Sequence, residues 1–135
     1  MNHETLHNTV RSRFKTQVAD VQKLPTHYDN DGSFTPPENA PWARATVLDG
    51  ISYQASLGST RTFRTPGLLV VQLFTPWGNG DRKGLQLADA VRLVFLGVTV
   101  DGIRYRTPWV NPVGRVDDEW QINISCPFEV DDTVT

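Results

Sequence analysis

The sequence predicts an α+β domain, a mostly antiparallel sheet flanked by two helices in the order α-β-β-β-α-β-β-β. Three observations lead there. Apolar residues recur at helical spacing in two stretches, near the N-terminus and after Asp81. Several other stretches alternate apolar and polar residues with period two. Asp-Gly dipeptides at Asp49-Gly50 and Asp101-Gly102 separate short extended runs, as hairpin turns do. At 135 residues the chain (1-135) has the size of a single domain with its own hydrophobic core.

Residues 3 to 23 read as the first helix. Leu6, Val10, Phe14, Val18 and Val21 share one face, Glu4 suits the positive end of the helix dipole, and Pro25 stops the helix. His3 and His7 lie one turn apart and could share a metal, but no further ligand is spaced for one; they read as exposed histidines. Residues 25-41 form a Pro-rich loop containing Pro25, Pro36, Pro37 and Pro41. His27 to Glu38 partly matches a calcium loop through Asp29, Asp31, Gly32 and Glu38. Histidine in the first position and the Pro36-Pro37 pair favour a plain polar turn instead.

From Trp42 the pattern becomes period two. A hairpin is expected at Asp49-Gly50, with a return strand Ile51 to Leu57 that is buried on one face and wet on the other. Gly58 to Thr65 then reads as a polar, basic, projecting loop, with Phe63 exposed between Arg61 and Arg64. A flexible hairpin tip is the plainer alternative for the same residues. Leu68 to Phe74 is a short apolar run between breakers, the central strand, covered on both faces. Asp81 suits an N-cap, Leu87, Ala88, Val91, Val94 and Phe95 form a helical stripe, and Gly97 ends that helix.

Val98 to Val100 and Ile103 to Tyr105 flank the second Asp-Gly turn, and Thr107 to Val113, broken by two prolines, belongs at an edge. After the polar turn Asp117 to Glu119, the clearest strand points Trp120, Ile122, Ile124, Cys126 and Phe128 inward. The acidic end, 129-135, reads as a frayed tail.

Composition narrows the chemistry. A net charge of −2 and an isoelectric point near 5.8 argue against a chain built to neutralise many phosphates. A single cysteine, Cys126, cannot form an internal disulfide and reads as a buried thiol in a reducing compartment. No secretion signal and no membrane-length apolar run are visible, so a soluble intracellular protein is expected. There is no G-x-x-x-x-G-K-[ST] and no G-x-S-x-G; the glycine-rich Gly78 to Gly84 reads as a turn before a helix, with a phosphate nest as the alternative. These residues point to no enzyme, with no catalytic residue, cofactor or metal.

The layout has a likeness. PWARATVLDG, RTFRTPG ahead of LLVVQLF, the glycine-rich turn into GLQLADAVRLVF, VDGIRYRTPWV and the WQINISCPF strand together resemble tail terminator-like (tail completion) proteins of long-tailed bacteriophages. The likeness runs from the first helix to the last strand and rests on order of elements rather than on reactive residues. It implies a small α+β subunit that forms a homo-oligomeric, hexameric ring. Such a ring caps the tail tube, stops its polymerisation and joins it to the head-tail connector protein. The implied partners are the tail tube protein and the connector, with DNA at most passing through the ring, no membrane and no cofactor. The implied location is the virion, after assembly in the host cytoplasm. Arg61, Phe63 and Arg64 then occupy a loop suited to contact between subunits. Two other classes stay open: a head-completion or connector protein, and a small ligand-binding or enzyme domain.

Overall fold

A computed structural model describes all residues 1–135. The two longest strands form its spine. β4 (Arg61–Pro76) and β8 (Glu119–Val134) run antiparallel, paired from Arg61↔Val134 to Pro76↔Glu119. β2 (Trp42–Asp49) lines the other edge of β4, and β1 (Thr26–Tyr28) adds to β2 in parallel. On the far edge of β8 sit β6 (Ile103–Tyr105), extended by β5 (Thr99–Val100), and then β7 (Trp109–Val116). The result is an eight-stranded, mostly antiparallel sheet with both helices on one face, so the expected α+β class is the observed one. Each group of three expected strands holds four: β1 lies inside the Pro-rich segment, and β5 and β6 are separate.

The N-terminal helix consists of α1 (His3–Phe14), a π-helical turn Lys15–Ala19 and a last turn α2 (Asp20–Gln22). Leu6, Val10, Phe14 and Val18 are buried as the stripe predicts. Val21 is exposed instead. A π turn inserts one residue per turn, which rotates the rest of the helix, so Ala19 and then Leu24 close the core. Helix α3 (Arg82–Phe95) buries Leu87, Ala88, Val91 and Phe95, and Gly97 comes after it with φ 62°. Gly84 lets α3 approach the sheet closely; a Cβ there would stand 2.7 Å from Ile122 Cδ1.

Parity along the strands separates the two faces of the sheet. Ala43, Ala45, Val47, Leu69, Val71, Leu73, Ile122, Ile124, Cys126 and Phe128 point to the helices and are buried. Their neighbours Thr46, Leu68, Val70, Asn123 and Ser125 form an open face. The central strand is therefore covered on one side only, not both. Of its apolar residues on the other side, Leu68 and Val70 are half-buried by their cross-strand neighbours, and Phe74 is buried where Trp42 stacks on it.

One end of the spine, where β4 begins and β8 finishes, departs from expectation. Asp49-Gly50 does not reverse the chain. Asp49 still pairs with Gly67 of β4, Gly50 N donates to Pro66 O at 2.7 Å, and β3 (Tyr53–Gln54) continues along the same edge opposite Arg64 and Phe63. From Asp49 to Tyr53 is four steps against three from Gly67 to Arg64, so this edge carries one extra residue, a β-bulge. The reversal lies at 58–60. The expected return strand 51–57 has no buried face: Ile51 is 90% and Leu57 92% exposed. Gly58 to Thr65 is a loop only at its start, because Arg61 to Thr65 begin β4. The frayed tail at 129–135 is also corrected: it is strand to Val134, held by pairing with Arg61 to Thr65.

Candidate assembly interface

This extended pairing creates one feature. Residues 50–66 and 129–134 form a three-stranded arm that prolongs the sheet past the edge of the helices. Thr65 and Val130 are its last buried pair; beyond them, Phe63 opposite Asp132 and Arg61 opposite Val134 lie on the helix-facing side, where the N-terminal ammonium of Met1 binds Asp132. Ser52 and Thr65 pair their hydroxyls at 2.5 Å across the arm's root. Arg61 sits over the Phe63 ring at 5.7 Å, an exposed cation–π contact within one strand. Phe63 itself is half-buried rather than exposed.

Arg64 has the opposite parity, so the three expected contact residues divide between two faces. Its guanidinium grips Asp131 through Nε (2.9 Å) and Nη2 (3.2 Å) on the open face. Arg104 Nη2 reaches the same carboxylate at 3.0 Å, and Arg104 Nε donates to Glu129 at 3.1 Å, where Arg106 also binds. Three arginines thus share two carboxylates of their own chain. Hydrogen bonds from Arg64 and then Arg104 hold the Asp131 carboxyl well below its ordinary value, and Asp131 in turn raises the Arg64 guanidinium. For Glu129, burial pushes upward, but the bonds from Arg104 and Arg106 prevail and lower it. The sequence alone did not pair Arg64 with Asp131 of the same chain, because 67 residues separate them.

The other end of the spine has a different character. Trp77 and Trp120 stack at 6.2 Å between ring centres, and Arg115 lies 4.5 Å over Trp77. The two tryptophans, with Gly78, Gly80 and Asp81, line a surface depression of about 410 Å³. Trp42 donates its indole N–H to Glu119 nearby and stacks on Phe74 at 4.2 Å. The glycine-rich turn thus exposes Trp77, and Asp81, the N-cap of α3, makes no side-chain cap bond.

No reactive constellation accompanies these surfaces. Cys126 is buried under the helices, its thiol pushed up to about 12 by burial. Asp29, in the partial calcium-loop match, accepts the Val47 backbone N–H at 3.0 Å, and His27 stacks on Phe34. No helix is long and apolar enough to cross a membrane.

A family model described as phage tail terminator protein matches residues 5–128. Ten solved chains share the fold, among them one bearing no functional name. It is 25% identical with a TM-score of 0.62, covering 92% of this chain and 94% of its own. No curated protein matches.

Proposed function

This chain belongs to the phage tail terminator protein family, and from that premise we propose that it is a structural virion protein. In this reading its subunits close into a hexameric ring that caps the tail tube, halts tube polymerisation and docks on the head-tail connector. One observation carries it: the arm holds two almost fully exposed large apolar side chains, Ile51 and Leu57, which its own chain leaves uncovered. Head-to-tail closure needs two unlike patches on each subunit. The arm, with Arg61 and Phe63 on it, and the tryptophan end supply two such patches at opposite ends of β4 and β8. Assembly takes place in the host cytoplasm and uses no cofactor. DNA at most passes through the ring.

Light scattering across a concentration series, with and without purified tail tubes, tests the proposal. The expected outcome is a closed oligomer, formed alone or on tube ends and visible as rings by negative-stain microscopy. A protein that stays monomeric at every concentration and leaves tube ends uncapped would overturn it.

A further inference from the structure

The docking of α1 on β2 brings together three side chains that the assembly surfaces do not use. His3 and His7 lie on successive turns of α1, where residues four apart are surface neighbours. Asp49 is the last residue of β2, 42 positions from His7, and by its register with Gly67 it faces the helix side. Its Oδ2 stands 2.9 Å from His3 Nδ1 and 2.8 Å from His7 Nε2. The three donor atoms all lie within 4.8 Å of one another.

We propose that His3, His7 and Asp49 form a binding site for a zinc-class divalent cation. Two imidazoles and a carboxylate match that class in donor type, and three protein ligands leave an outward position for water. Bonds of about 2.0–2.1 Å at tetrahedral angles require donors about 3.3 Å apart. The present nitrogen–oxygen separations open by about half an ångström to accept the ion, and the two nitrogens, within 4.8 Å of each other, come to the same spacing. His3, with 72% of its side chain exposed, is free to make that adjustment. The backbones that carry the ligands are firmly placed. Leu6 and Val10 are buried beside the two histidines, Asn2 caps α1 through Thr5 N at 2.8 Å, and Val47 is buried two residues before Asp49.

Ligation through His7 Nε2 leaves the ring proton on Nδ1. Arg11 Nη2, now 3.4 Å from Nδ1, then moves away, and Asn8 Oδ1 already lies 3.4 Å from its Nη1. Residues 3–7 also read H-E-x-x-H, the helical spacing of zinc metalloproteases. Hydrolysis is no part of the proposal, because no cavity is lined by His3, Glu4 or His7. The ion would tie the first turns of the N-terminal helix to the root of the arm.

Calorimetric titration of the tag-free protein with zinc, and with magnesium as a hard-cation control, tests it. We expect one zinc per chain and no magnesium at this site. Asp49→Asn and His7→Gln should each weaken zinc by no less than the roughly tenfold to hundredfold that even outer-shell partners cost. His27→Gln, which changes the remaining histidine, should leave it unchanged. His3→Gln, at an exposed position, serves as the ligand variant if circular dichroism shows either of the others to be unfolded. Absence of zinc binding, or zinc affinity that survives the folded ligand variants, overturns the site.

Discussion

Gly67 lies directly opposite Phe128 in the β4–β8 ladder, and a Cβ at Gly67 would stand 2.3 Å from the Phe128 ring. That ring is fully buried and packs edge-on to Tyr105 at 6.1 Å between centres, while Leu48 O closes the other side of Gly67. Gly67→Ala should therefore lower stability by about 1–3 kcal/mol, the usual cost of overpacking. Pairing it with Phe128→Leu should recover part of the loss, since neighbours that collide are coupled. Urea midpoints of the four proteins decide it, and additive losses would place the collision elsewhere.

Phe95 and Leu93 lie two residues apart on α3 with opposite fates. Phe95 is fully buried against Tyr105 at 5.1 Å, whereas Leu93 is 72% exposed. Phe95→Ala should cost about 3–5 kcal/mol, and Leu93→Ala should stay within about 0.5 kcal/mol. Equal denaturation midpoints would mean that α3 is rotated about its axis.

Acid should loosen the arm. The Asp131 carboxyl is held below its ordinary value, so its contribution to stability is complete above about pH 4 and is lost as pH falls through the depressed folded value. Melting temperature against pH should fall less steeply on the acid side for Asp131→Asn than for the parent. Parallel curves would show that Arg64 and Arg104 do not favour the ionised form. Both partners are partly solvated, so added salt should shrink the difference.

Ile51→Glu and Leu57→Glu separate assembly from folding. Both side chains are exposed in the single chain, so its melting temperature should move little, while ring formation and tube capping should be lost. Arg64→Glu is a poorer probe, because it sets a new carboxylate beside Asp131 and Glu129 and so weakens the arm itself. Complementation for tails of normal length and head attachment reads the outcome. Full complementation by both apolar variants would remove the arm from the interface.

Much of this fold was legible because burial on one face leaves a period in the sequence. The stripes Leu6-Val10-Phe14 and Leu87-Val91-Phe95 and the alternation Ile122-Ile124-Cys126-Phe128 each identify the inward face correctly. Period two, however, says which residues share a face and nothing about whether that face is covered. Ile51 to Leu57 alternates as well as any core strand, yet it lies beyond the helices. Asp49-Gly50 carries turn chemistry, but the partner offered by β4 continues past it, and the extra residue is absorbed as a bulge. At the candidate surface, Arg61, Phe63 and Arg64 belong to the arm, but their division between faces depends on a strand start that the local Gly, Ser and Thr content concealed. Asp49 could not be joined to His3 and His7 from sequence, because that proximity exists only after α1 docks on the sheet.

The spine has a mechanical consequence. β4 and β8 remain paired over all 16 residues of each strand, roughly 50 Å of continuous ladder at the usual rise per residue. A load pulling lengthwise between the arm tip and the tryptophan end strains all of those rungs together. A load prying the arm sideways strains them one after another, beginning at Arg61 and Val134. The molecule should thus be stiff along one axis and yielding across it, like a hinge leaf fixed to a rigid bar.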